Sequence, residues 1–269
     1  MMVAERKRSL EEKQKNRVDF MEVKKVFEEG TVSKYLIKGT DHTFMNVLRR
    51  TIMADVPCLA VDTIQFYEND SPVVDEMLAN RLGLLPIKTD VKTYKKGNAV
   101  KLVLEKTGPC VVTGEDIKSS DPKIEVLDKN IIITKLGKGR KIKLEMNALM
   151  SSGSEHSKYQ PAIVSYNEVP SINNDNKIQN VKEVVDSFPE GFVEEKNGKL
   201  VLLDPYNISF HGQHQDLITK HGIEIDYSSK DFVLTVENTG QLTVEEVIAS
   251  AADTLTEKLD ELAKEVSKL

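Results

Sequence analysis

The sequence predicts a mixed fold of α-helices and antiparallel strands, on three observations. Residues 99–146 carry short alternating apolar runs separated by Gly, Pro, Asp and Ser clusters, the pattern of an antiparallel sheet. Residues 243–269 repeat apolar side chains at steps of three and four, the pattern of a long amphipathic helix. Helical spacing recurs in two shorter stretches, 43–54 and 71–83, and strand-like segments flank both.

The elements follow in chain order. Residues 1–17 hold six Lys or Arg against three Asp or Glu, which suits a solvated tail (1–19) or an arm for nucleic acid or a partner. Strands are expected at Phe20–Phe27 and Thr31–Lys38, with Glu-Glu-Gly turning between them. Asp41-His42-Thr43 offers helix caps, and Phe44, Val47, Leu48 and Thr51/Ile52 share one helical face. Val56-Pro57 ends that helix, because the residue before proline is pushed out of the α region. Leu59–Tyr67 returns to strand character. Ser71-Pro72 then opens, and Gly83 closes, a helix with Val74, Met77, Leu78 and Leu82 inward.

Further strands are expected at Val100–Glu105, Cys110–Thr113, Ile131–Thr134 and Lys141–Met146, and LGKGRK between the last two reads as a hairpin turn rather than a phosphate cradle. The polar run Pro170–Asn180 marks a boundary. Beyond it lie a helical VKEVVDSF and a hairpin turning at Asn197-Gly198, so residues 170–225 read as an inserted unit. Thr243 and Glu246 form a capping box, after which Val244, Val247, Ile248, Ala251, Leu255, Leu259, Leu262, Val266 and Leu269 form a narrow stripe. About 27 residues give a helix of roughly 40 Å. The stripe suits docking on another chain somewhat better than packing on the chain's own sheet.

Composition bounds the function. The chain has 269 residues, 39% hydrophobic and 30% charged, consistent with two compact domains. It has no apolar run of spanning length and no signal-peptide pattern at its start, so a cytoplasmic location is expected. Cys58 and Cys110 stand far apart with no CxxC, which excludes a disulfide scaffold, a four-cysteine zinc site and a cysteine-held iron–sulfur cluster. A net charge of −6 gives no general attraction to a phosphate backbone. HExxH, GxSxG, GxGxxG and GxxxxGK[ST] are all absent. His211, His214 and His221 admit two readings, a metal site in a stand-alone metal or redox protein and a polar surface loop, and the loop is favoured. Asp75-Glu76 reads as a charge complement to a helix N-terminus, since adjacent helical residues point about 100° apart. Asn46, Arg49 and Arg50 stand out as two adjacent guanidinium groups on a short amphipathic helix, suited to carboxylate or carbonyl recognition.

The run HTFMNVLRRTIMADVPCLAVDTIQFYENDSPVVDEMLANRLGLLPIKTD (His42 to Asp90) closely resembles the assembly-platform family of multisubunit RNA polymerases. That family comprises the archaeal D-type chain, the third-largest chain of eukaryotic RNA polymerase II and the N-terminal domain of the bacterial alpha chain. TGPCVVTGEDIKSSDP, SSGSEHSKYQPAIVSY and FVLTVENTGQLTVEEVIASAADTLTEKL resemble it further, in family order, over residues 20–269. Length and the single insertion favour the archaeal branch.

The resemblance implies an α+β fold with a discontinuous dimerisation domain (20–58 plus 226–269), an inserted β-rich domain (59–169) and a ferredoxin-like insertion (170–225). It implies a non-catalytic assembly role within a nucleotidyltransferase. The long helix, with Val247, Ile248, Ala251, Leu255, Leu259 and Leu262, would pair with a small L-type subunit. Asn46, Arg49 and Arg50 would face the large catalytic subunits. Asn69, Ser71, Asp75, Glu76 and Arg81 would face the second-largest subunit and the small zinc-bearing N- and P-type subunits. DNA would be met only through the assembled enzyme.

Three departures from the family pattern stand out. Asn80 replaces a frequent His and Tyr159 a frequent Trp. Many archaeal relatives carry a CxxCxxCxxxC iron–sulfur motif in the insertion, and here Ile208, His211, His214 and Ile218 take those positions. No thiolate remains, so a cluster-free insertion without a cofactor is expected.

Overall fold

The computed structural model describes residues 21–174, 181–207 and 213–268. It is a mixed α and β structure. In order it comprises β1 (Glu22–Glu29), β2 (Val32–Lys38), α1 (His42–Ala54), β3 (Pro57–Asn69), α2 (Asp75–Gly83), β4 (Ala99–Thr107), β5 (Cys110–Thr113), β6 (Ile117–Ser119), β7 (Ile132–Leu136), β8 (Lys141–Ser152) and β9 (Ala162–Asn173). There follow α3 (Val181–Ser187), β10 (Val193–Lys196), β11 (Lys199–Leu202), α4 (Gln213–His221), β12 (Glu224–Asn238) and α5 (Val244–Val266). The sheets run β1-β2-β12-β9, β3-β8-β4-β6, β5-β7 and β10-β11. The chain divides into two compact units, one of residues through Phe27, Lys34–Met45 and Tyr166–Leu234, the other of Glu28–Ser33, Asn46–Ser165 and Thr235–Leu269.

The second unit is built on β8. This strand pairs antiparallel with β3 on one side, from Pro57 opposite Ser152 to Asn69 opposite Ile142, and with β4 on the other. Alternation decides which face is buried: Val100, Leu102 and Leu104 of β4 and Ile142, Leu144, Met146, Ala148 and Met150 of β8 point into one core. Leu78 and Leu82, four apart on α2, fill the same core.

LGKGRK is not a hairpin turn. β7 pairs with β5 whereas β8 pairs with β3 and β4, so residues 136–141 carry the chain from one sheet to another. The sequence holds the turn residues but not the identity of the partner strands. Gly108 braces this crossing: its N–H donates to the Arg140 carbonyl at 2.8 Å, and a Cβ there would overlap the Gly137 carbonyl oxygen.

A second close approach lies beyond β8. The Ser154 N–H donates to the Ala54 carbonyl at 2.8 Å, and a Cβ on Gly153 would overlap the Met53 carbonyl oxygen. Gly153→Ala is expected to lower stability by about 2 kcal/mol, the usual scale of overpacking, read as a shifted urea midpoint.

In the first unit, Asp41 caps α1 by accepting the Phe44 N–H at 2.8 Å. His42 sits edge-on to the buried Phe232 ring and 2.7 Å from Glu168. A separate apolar cluster gathers Val184, Phe188, Phe192, Val193, Leu200, Leu202, Ile218 and Ile223, with Phe188 and Phe192 stacked at 5.3 Å. The β10–β11 hairpin turns at Asn197 and Gly198, which stand at φ 54° and 75°, the left-handed pair that a two-residue turn needs. Asn174 clamps β11, accepting the Leu200 N–H at 2.9 Å and donating to the Leu200 carbonyl at 3.0 Å.

Candidate assembly surfaces

On α1, Met45, Leu48, Thr51 and Ile52 are buried, while Phe44 and Val47 are exposed at 36% and 40%. The expected inward face therefore turns by one residue at its start: Met45 takes the place assigned to Phe44. A helix buries one stripe, and Met45, Leu48 and Ile52 form the continuous row. Asn46 orients Arg49, its Oδ1 accepting from Nη2 at 3.1 Å, and Arg49 Nη1 lies 3.7 Å from Met53 Sδ. Arg50 is exposed. The two arginines thus differ, one preset by a neighbour and one presented to solvent.

The loop before α2 is organised by the residues singled out in sequence. Asn69 Nδ2 donates to the Val73 carbonyl (3.0 Å) and to Asp75 Oδ1 (2.6 Å), while its Oδ1 accepts the Ser71 N–H (3.1 Å). Ser71 Oγ also donates to the Val73 carbonyl at 3.1 Å. These bonds make a turn of Ser71-Pro72, so the helix starts later than expected, at Asp75 with Val74 as its N-cap. Asp75 and Glu76 stand in its first turn. Val74 and Met77, expected inward, are exposed at 58% and 62%, because only the Leu78/Leu82 row of so short a helix reaches the core. Tyr67 and Leu84 are exposed as well. Arg81 reaches across to β7, where Nη1 donates to the Ile133 carbonyl at 2.5 Å.

Helix α5 begins at the expected capping box. Thr243 Oγ1 accepts the Glu246 N–H at 3.2 Å and Glu246 Oε2 accepts the Thr243 N–H at 3.0 Å. Its apolar stripe changes character along its length. Val244, Val247 and Ala251 are buried within this chain, Ile248 and Leu255 are half-buried, and Leu259, Leu262 and Val266 are 64%, 59% and 57% exposed. Val247 and Ala251 thus serve the chain's own core, whereas the bare part of the stripe lies beyond Leu255. Lys258 pairs with Asp55, just past α1, at 2.8 Å.

A buried polar network that sequence reading missed anchors the root of α5. Gln241 Oε1 accepts from Cys58 Sγ at 3.1 Å and from Thr239 Oγ1 at 3.1 Å, and Nε2 donates to the Leu59 carbonyl at 3.2 Å. Thr89 Oγ1 accepts the Leu59 N–H at 3.1 Å and donates to the Ile87 carbonyl. The only sequence signal was a Gln beside a capping box. Burial pushes the Cys58 thiol up to about 11, against a lowering by the Thr89 hydrogen bond. At pH 8 Cys58 therefore stays protonated and inert, and a thiol reagent is expected to titrate Cys110 alone in the native chain and both cysteines in denaturant. Tyr159, at the position of the family's frequent Trp, is buried and donates to Asp62 at 3.0 Å; burial, then Asp62, raises its phenol well above the usual range. Asn80 is exposed.

Among the described residues, no group of three or more His, Cys, Asp or Glu is placed to hold a metal ion. His221 bonds to Ser187 at 3.1 Å, and Ile218 is buried in the apolar cluster around Phe188 and Phe192. Ile208, His211 and the side chain of His214 lie outside the described residues. No described helix is long and apolar enough to cross a membrane.

The model of the RNA polymerase Rpb3/Rpb11 dimerisation domain matches residues 34–259. The chain is 34% identical over 241 residues to the DNA-directed RNA polymerase subunit Rpo3 of Halobacterium salinarum, covering 87% of this chain and 92% of that protein. It is 34% identical to the Rpo3 of Pyrococcus furiosus, covering 88% and 93%, and 33% identical to that of Thermococcus kodakarensis, covering 88% and 94%. With a match that takes in α1, the β3–β8 sheet and most of α5, the chain belongs to the RNA polymerase Rpb3/Rpb11 dimerisation family.

Proposed function

We propose that this chain is the non-catalytic assembly platform of a cytoplasmic DNA-directed RNA polymerase. The observation that carries the reading is the bare outer half of α5: Leu259, Leu262 and Val266 face solvent on a helix whose inner half is already buried. A small L-type subunit covers that stripe, and the apolar area removed from water drives the pairing. Asn46, Arg49 and Arg50 on α1 then receive the large catalytic subunits, and the Asn69–Ser71–Asp75 loop with Glu76 and Arg81 receives the second-largest subunit and the small zinc-bearing N- and P-type subunits. Nucleotidyl transfer and its metal ions belong to other chains. In this reading the dimerisation domain is residues 20–58 plus 226–269, the β-rich domain 59–169, and the insertion 170–225 keeps its shape by packing, without a cluster.

Co-expression with the small partner followed by size-exclusion chromatography tests the reading. A stable heterodimer is expected, and a well-behaved monomer at every concentration would overturn it. The arginine face is tested separately. Arg49→Ala with Arg50→Ala is expected to leave the heterodimer unchanged and to weaken capture of the large subunit by about tenfold or more, measured by pull-down with purified subunits.

A further inference from the structure

We infer that the outward face of the β5–β7 ribbon and the crossing that follows it form a docking surface for an acidic, amphipathic protein segment. The run KLGKGRKIK (residues 135–143) holds five cations and no acid in a chain of net charge −6. Lys135, Lys138, Arg140 and Lys141 are all exposed. None of the four makes an ion pair among the described residues, whereas nearby Lys106 and Lys143 are paired with Asp116 and Glu105.

The crossing is braced on both sides. The Gly108 N–H binds the Arg140 carbonyl, the Arg140 N–H binds the Gly137 carbonyl, and Asp70 exchanges hydrogen bonds with the Lys141 backbone through its own N–H and its carboxylate. Its cations therefore project from a preset turn, which lowers the ordering cost of binding.

The ribbon adds the apolar half of the surface. Val111 stands opposite Lys135 and Ile132 opposite Thr113 in the antiparallel register, and Val111 and Ile132 are 42% and 53% exposed while Val112, Ile133 and Thr134 point inward. Two bare aliphatic side chains beside four unpaired cations match a partner that offers both carboxylates and apolar groups. A nucleic-acid backbone would use the cations alone, and this face has no aromatic side chain on which a base could stack. The geometry therefore favours the protein segment.

The test uses the full chain and fluorescence anisotropy with three labelled probes: a peptide alternating Glu with Leu, a peptide of equal charge alternating Glu with Ser, and a single-stranded oligodeoxynucleotide. The Glu/Leu peptide is expected to bind most tightly. Its affinity should fall about tenfold with K138E/R140E, and several-fold with V111S/I132S or on raising salt from ~50 to ~300 mM. Circular dichroism and urea midpoints verify that both variants, at exposed positions, keep the fold. Equal or tighter binding of the oligonucleotide, with V111S/I132S silent, would overturn the proposal in favour of a nucleic-acid contact. Equal binding of the two peptides would remove the apolar half of the surface, and absence of binding by all three would remove the site; either result also overturns it.

Discussion

Leu259→Asp with Leu262→Asp is expected to abolish heterodimer formation while leaving the isolated chain as stable as before. Both side chains are well exposed in the lone chain, where surface substitutions usually change stability by less than about 0.5 kcal/mol. In the proposed complex the same positions would be covered. Each leucine then forfeits roughly 1.5–3 kcal/mol of burial, and each carboxylate is taken from water without a partner. Together these exceed about 4 kcal/mol, or roughly a thousandfold in affinity. Isothermal titration with the small partner reads the loss and thermal unfolding of the lone chain reads the control. Unchanged affinity would move the interface off α5. The inner half gives the contrast: Ala251→Asp places a charge in the chain's own core and is expected to unfold it before any partner arrives.

Gln241→Leu is expected to be damaging although it removes no apolar packing. It leaves the Leu59 carbonyl without its donor and takes from the Cys58 thiol the nearer of its two partners, while Thr239 keeps the Pro161 carbonyl at 2.7 Å. At about 1–3 kcal/mol for one stranded buried acceptor, the loss is roughly 2 kcal/mol, read as a fall of the urea midpoint by about 1 M. Cys58→Ala removes one donor from an oxygen that still accepts from Thr239, so its cost should stay under about 1.5 kcal/mol. If the two variants are equally destabilised, Gln241 is not the hub of the network.

Features specified by neighbours in sequence were legible before the structure. The Thr243/Glu246 box opens α5, and Asn197-Gly198 turns β10 into β11, because both depend on backbone groups within three or four residues. Features set by distant partners were not. Nothing local to LGKGRK says that β7 pairs with β5 rather than with β8. On α1, Phe44 and Met45 are both apolar, and only the packed chain decides that Met45 turns inward. The α5 stripe is continuous in sequence, so it could mark the helix but not the point, near Leu255, where this chain stops covering it. The loop residues Asn69, Ser71 and Asp75 were singled out by resemblance as contacts. They turn out to be bonded first to one another, which gives the loop its shape and leaves Val74 and Met77 to present its surface.

The anchor of α5 also has a consequence for synthesis. Cys58 and Gln241 lie 183 positions apart, so a chain emerging from the ribosome makes β3 long before the residue that closes over it. Until then the Cys58 thiol and the Leu59 carbonyl have no Gln241 to meet, and the fold waits on a late, long-range contact. Protection of Cys58 by Gln241 can therefore arise only once the C-terminal part of the chain has been made. A nascent chain halted before residue 241 should expose a thiol to alkylation that the finished chain conceals.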